Sequence, residues 1–165
     1  MGTRVFTSHG MIHLGSQATG QPDQPAAGDL LGGNGLIRVS HDHTHATIHT
    51  GATYGDTDIT VHTFDSTPPL HTEDWDDVVE VSLIIQGAIL YLQSPEDDAE
   101  DITEITLPRE IEEPQWWRVR IHARGRDTAR ALDVTSAEDG DPLEQHLLQM
   151  WPAPQDTEAQ HKLAQ

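Results

Sequence analysis

Ser66–Gly87 reads STPPLHTEDWDDVVEVSLIIQG, and the fold class turns on how this stretch is parsed. Thr67-Pro68-Pro69 excludes regular helix and central strand, because two successive prolines remove two donors and hold φ at about −65°. Glu73-Asp74-Trp75-Asp76-Asp77 then sets four carboxylates around one tryptophan. From there Val79, Val81, Leu83 and Ile85 alternate with Val78, Glu80, Ser82 and Ile84. A period of two built largely from β-branched residues predicts a strand with one fully apolar face. Gly87 predicts a tight turn into Ala88–Gln93, making the two runs a hairpin.

Outward from this stretch, short strand signals recur. Leu36–Ser40 starts a strand, Ala46–Thr50 continues or returns it, and Thr57–Phe64 is a threonine-rich strand after the Gly55-Asp56 turn. On the C-terminal side, 94–101 (SPEDDAED) reads as an acidic loop, Ile102–Leu107 as a short strand and 109–114 (REIEEP) as an acidic connection. Trp116–Arg124 is a strong strand with Trp117, Val119, Ile121 and Ala123 on one face and Arg118, Arg120, His122 and Arg124 on the other. Thr128–Val134 offers one turn of helix, and a last strand runs through Leu143, Leu147 and Trp151. Seven to nine short strands without an amphipathic crossover helix predict an all-β protein, an antiparallel β-sandwich, with a barrel as the alternative. Trp75, Val81, Leu83, Trp117, Val119, Ile121 and Leu147 form the predicted core.

The termini read differently. Residues 3–15 alternate loosely as an edge strand, and 16–35 are a Gly/Pro/Gln-rich connection, long for a loop inside a domain. The predicted organisation is therefore an N-terminal strand and flexible linker over 1–35, a sandwich domain over 36–154 and a disordered tail over 155–165. The domain is expected to fold without residues 1–34.

Composition narrows the function classes. The 165 residues contain no cysteine, which removes disulfides, thiolate metal sites and thiol catalysis. There is no long apolar run and no apolar core in the first fifteen residues, so the chain reads as cytoplasmic rather than secreted or membrane-spanning. Twenty-eight acidic against nine basic side chains give a net charge of −19. That field repels nucleic acid and anionic lipid and favours basic partners, although acidity also serves solubility.

Three clusters are candidates for chemistry. His41, His43 and His45 would share one face of an extended strand, with His49 four residues further, and such a set can ligate a metal. A cupin-like metal-dependent β-barrel enzyme also uses His-x-His on a strand, but it requires a glutamate where this chain has Thr47-Ile48-His49. A polar, histidine-rich turn or solvent face is the competing reading. Asp74, Asp76 and Asp77 lack the glycine-punctuated spacing of a calcium loop, and no serine elbow or phosphate loop is present. Arg118, Arg120, Arg124, Arg126 and Arg130 place five of the nine basic residues within thirteen positions. Pairing with acids on neighbouring strands explains them better than a nucleic-acid stripe.

The Pro68-Pro69 turn leading to Asp74-Trp75-Asp76-Asp77, the strand pair before it, the aromatic strand Trp116–His122 and the closing strand Leu143–Trp151 together resemble the competence protein ComJ family, over about residues 36–152. The ending His146–Pro154 (HLLQMWPAP) also resembles that of acidic actinobacterial proteins. Studied members of the ComJ family inhibit a DNA-entry nuclease, and the resemblance implies a small acidic β-sandwich that binds and blocks a basic enzyme and carries no catalytic residues. The resulting expectation is a non-enzymatic inhibitor or immunity protein for a basic enzyme or toxin, using no cofactor. Its expected contact residues are Glu73, Asp74, Trp75, Asp76 and Asp77 with Glu96, Asp97 and Asp98. A metal-dependent enzyme or a structural adaptor stands as the alternative.

Overall fold

A computed structural model of the chain describes residues 3–17, 30–31, 34–96, 102–134 and 143–164. These residues form ten strands and one short helix. In chain order the strands are β1 (Thr3–Thr7), β2 (Met11–Ser16), β3 (Leu30–Leu31), β4 (Ile37–Ser40), β5 (His45–His49) and β6 (Gly55–Thr63). They continue as β7 (Asp77–Gln93), β8 (Thr103–Arg124), helix α1 (Arg126–Leu132), β9 (Gln145–Pro152) and β10 (Ala159–Lys162). All strands belong to one sheet, ordered β1-β6-β9-β8-β7-β2-β5-β4-β3, with β10 attached to β7. The all-β class expected from the sequence holds. The pairing is antiparallel except between β6 and β9, which run parallel, so the purely antiparallel expectation is corrected at that one pair.

The organising hairpin is longer than the sequence suggested. β7 and β8 run 17 and 22 residues. Gly87, where a turn was expected, lies inside β7 at φ 93°, a left-handed conformation that glycine adopts without a Cβ penalty. The chain kinks there and does not reverse, because β8 keeps pairing with β7 on both sides of the glycine. The free edge of β7 is shared: β10 takes Val78–Glu80 and β2 takes Leu90–Gln93. Between them the β4–β5 turn docks on the edge, the His43 carbonyl accepting from the Ile84 amide at 2.7 Å. The sheet thereby doubles back on itself. Ile12, Leu14, Ile37 and Ile48 from one end share a single core with Val81, Leu83, Val119 and Ile121 from the other.

Five of the predicted core residues, Val81, Leu83, Trp117, Val119 and Ile121, are buried in that core. Two expectations fail. Trp75 is only half-buried and sits on the outer face, its ring 5.3 Å from His122. Leu147 is likewise half-buried, because β9 alternates with a period of two that puts Leu148 and Met150 inward. The Leu143, Leu147, Trp151 series has a spacing of four, and Leu143 lies before the strand, exposed.

The termini are also tied in more firmly than expected. β1 pairs with β6 over its whole length, and β2 lies between β5 and β7 in the middle of the sheet. Residues 159–162, read as part of a disordered tail, pair with β7 as β10. Most of the 16–35 linker lies outside the described residues.

Candidate partner-binding surface

The arginine strand decides which charges are available to a partner. On the outer face of β7 and β8, Glu80 is opposite Arg120 in the ladder and Ser82 opposite Arg118. Glu80 receives Arg118 Nε at 3.2 Å, Arg120 Nε at 2.9 Å and His161 Nε2 at 2.5 Å. Burial opposes its ionisation, but hydrogen bonds from Arg120, His161 and Arg118 outweigh this and hold the carboxyl below its ordinary range. Arg118 also donates to the Asp156 and Thr157 carbonyls, and Arg120 to those of Pro68 and Pro69. The Pro-Pro corner and the C-terminal segment are thus lids over a buried ionic network, and Arg120 further stacks on Trp151 at 5.0 Å. The expected acid partner on a neighbouring strand is real, and it is Glu80.

The acidic knuckle divides in two. Glu73 and Asp74 are exposed and make no ion pair among the described residues. Asp76 is exposed but accepts the Gly125 amide at 3.0 Å, while its own amide donates to Ala123. Asp77 is buried as the first residue of β7, bound to Arg126 Nη1 at 3.2 Å and to the Ala164 amide at 2.7 Å. The same Arg126 donates to the carbonyls of His49 and Gly35. Asp77 therefore anchors the fold rather than meeting solvent. Trp75 lies under the Arg124 guanidinium, 4.9 Å away. In the 94–101 loop Glu96 is exposed and bonded to His9 at 3.1 Å, while Asp97 and Asp98 lie outside the described residues.

A second acidic surface replaces the expected 109–114 connection. From the pair Ile85–Gln115 to Gly87–Ile111, β7 advances two residues and β8 four; from there to Ile89–Thr106, β7 advances two and β8 five. β8 thus carries five residues more than its partner, and they arch out of the sheet. Glu110, Glu112 and Glu113 are exposed on the arch, between Pro108 and Pro114, and none pairs with the arginines. The arch borders a cleft of about 810 Å³ whose other wall is Phe64 and Asp65, with Trp117 and Pro152 at one end. Arg109 is the one basic residue of the lining and faces Asp65 at 3.5 Å, both almost fully exposed. In the sequence these carboxylates read only as part of an acidic connection. Two prolines bracketing an acidic run were the available signal for a bulged edge.

The histidines do not converge on a metal. His41–Thr44 form the turn between β4 and β5 instead of extended strand, with His43 at φ 61°. Asp42 sets that turn: the Ser40 hydroxyl bonds its carboxylate at 2.6 Å and the Thr44 hydroxyl at 2.8 Å. The Ser40 bond, opposed by partial desolvation and aided by Thr44, holds the Asp42 carboxyl down at about 2. His41 is exposed, His43 packs edge-on against Trp116, and His45 is buried beside Thr44. Pairing of β2 with β5 puts His13 opposite Thr47, between His45 and His49. Burial, then the neighbouring His45 and His49, lower the His13 pKa to about 4. Among the described residues no group of three or more His, Asp or Glu side chains could hold a metal ion.

No family model matches the chain, and no curated protein matches its sequence. Two solved structures do match. The crocagin biosynthetic gene J protein aligns at TM-score 0.59 and 15% identity, over 93% of this chain and 96% of that one. ComJ from Bacillus subtilis, an inhibitor of the DNA-degrading activity of NucA, aligns at TM-score 0.50 and 5% identity, with the same coverage. The chain shares their fold. The resemblance to ComJ expected from the sequence is thus met at the level of the fold, for which alone identities this low speak. No helix among the described residues is long and apolar enough to cross a membrane.

Proposed function

We propose that this chain is a non-enzymatic binding protein that engages and blocks a cationic enzyme or toxin, of which a nuclease is the favoured example. The observation that supports this reading most is the segregation of charge. Arg118 and Arg120 are sealed under Glu80, and Arg126 is clasped to Asp77. Glu73, Asp74, Glu110, Glu112 and Glu113 remain in solvent with no ion-pair partner among the described residues. Crowding like charges on a surface costs folding free energy, and a basic partner relieves that cost on binding. An enzyme that holds phosphates presents a basic cleft, and carboxylates can occupy it in their place. The fold shared with ComJ, an inhibitor of NucA, is consistent with this role.

The contact residues proposed here are Glu73 and Asp74, together with the β8 arch. Trp75, Asp76, Asp77 and Glu96 are mostly engaged in contacts within the chain. The test is capture of partners from the source organism at low salt, followed by assay of the captured enzyme with and without added protein. A basic enzyme that is recovered at low salt, released at high salt and inhibited on addition supports the reading. Recovery of no basic protein, or of one whose activity is unchanged, overturns it.

A further inference from the structure

The cleft beside the arch lies where a strand is missing. β9 pairs with β8 over Trp117–Arg124 and with β6 over Asp58–Thr63, filling the place between them. It stops at Pro152, opposite Trp117, and the last bonds of this region are Ala153 N to the Trp116 carbonyl and Phe64 N to the Met150 carbonyl. The chain then leaves the sheet, and Asp156 and Thr157 are next met over Arg118 on the outer face. β8 continues without it for a further fourteen residues, Thr103–Trp116, and no described strand pairs with that edge. β6 ends nearby at Thr63, and Phe64 and Asp65 face the arch across the cleft. Adjacent strands lie about 4.8 Å apart, so removing one from between two neighbours leaves a slot the width of one extended chain.

Unpaired edges are usually blunted, and here prolines and carboxylates line the edge. The carboxylates also select what can enter. Asp65, paired with Arg109 at 3.5 Å, and the unpaired Glu110, Glu112 and Glu113 surround the slot, whose apolar surface comes from Phe64, Leu107, Ile111 and Trp117 among the described residues. A second copy of a chain with net charge −19 would bring more negative charge to this rim. A segment alternating basic and apolar side chains matches both features, its cationic positions meeting the rim and its apolar positions the floor.

We propose that the cleft between β6 and the arched half of β8 accepts an extended, cationic segment of a protein partner by strand addition, in line with β9. The inserted backbone pairs with the exposed β8 edge, which supplies affinity indifferent to sequence, while the glutamates and the apolar floor supply selectivity. This deepens the proposed function and rests on its assumption of a basic partner.

The experiment uses the full chain and a capped peptide alternating arginine and valine, beside the same peptide N-methylated at alternate amides. Calorimetry at low salt measures affinity, and amide hydrogen exchange is followed over residues 108–116. The parent peptide should bind, slow exchange on that edge, and exceed its N-methylated form by about tenfold or more. Glu110→Lys with Glu112→Lys should weaken it by a similar factor. Equal binding of the two peptides, or unchanged exchange, overturns strand addition while leaving the cationic-partner reading standing. Binding untouched by the double reversal puts the site elsewhere and overturns the proposal. Failure of the parent peptide to bind overturns it too, and the cationic-partner reading then stands or falls on the capture experiment. Reversible dimers abolished by the double reversal would assign the slot to a second copy and equally overturn it.

Discussion

The two halves of β8 belong to one strand and behave as opposites. From Trp117 to Ala123 every residue is buried, including two arginines, while from Pro108 to Gln115 nearly every residue is exposed. Both halves are rich in charge and both pair with β7. The difference lies in what stands beside them. The C-terminal half has β9 along its other edge and, over its outer face, the Pro-Pro corner and the Asp156–Thr157 segment. The N-terminal half has lost β9 at Pro152 and carries five residues that β7 cannot match. Charge in a strand is therefore consumed or displayed according to its neighbours, and the carboxylates left on display are those on which the proposed function rests.

The largest effect should come from removing what closes the sheet. Deleting residues 1–16 strips β2 from the middle of the sheet and should abolish cooperative unfolding, measured by chemical denaturation. A deletion that still folds cooperatively would show that the doubled-back sheet does not need β2, and would restore the boundary at residue 35 expected from the sequence. Next is the sealed half itself. Glu80→Ala leaves two buried guanidinium groups without their carboxylate and should cost about 3–5 kcal/mol. A cost near that of an exposed ion pair would mean that the network is hydrated and the contrast between the halves overstated.

A smaller effect is expected from pH. His13 has a folded pKa of about 4 against 6.5, so the unfolded chain takes up a proton that the folded chain refuses. Stability should accordingly fall as the pH drops from about 6.5 to about 4, with this residue contributing a slope of up to about 1.4 kcal/mol per unit. His13→Gln should flatten that part of the curve. Glu80, whose folded pKa is depressed, contributes fully above the ordinary carboxylate range, and its share is lost only as the pH falls through its lower folded value. An unchanged slope in His13→Gln would place the acid sensitivity elsewhere. Smallest of all should be the arch. Glu110→Lys with Glu112→Lys should change stability by no more than about 0.5 kcal/mol per site, as for surface positions without partners. A larger loss by thermal melting would show that the arch is part of the fold and sharpen where the sealed half ends.

Much of the fold was legible where burial follows a period of two. Val79–Ile85 and Trp117–Ala123 announced their inward faces, and the β4, β5 and β6 strands appeared near their observed limits, because alternation is a local property of the chain. The arginines' need of an acid on a neighbouring strand was also legible, since a strand with an apolar face and a basic face cannot bury both unaided. The sequence alone thus determined the all-β class, the core of the central hairpin and the acidity of the surface. Which acids reach solvent was decided only by the tertiary structure. Asp76 and Asp77 sit beside Asp74 in sequence, yet the two are engaged by Gly125 and Arg126, residues almost fifty positions away. Gly87 reads as a turn until β8 is seen pairing on both sides of it, and 109–114 reads as a loop until five unmatched residues are seen arching from a continuous strand. The placement of β10, the exit of β9 at Pro152 and the slot beyond it depend in the same way on which distant strands pair, and local periodicity does not encode pairing.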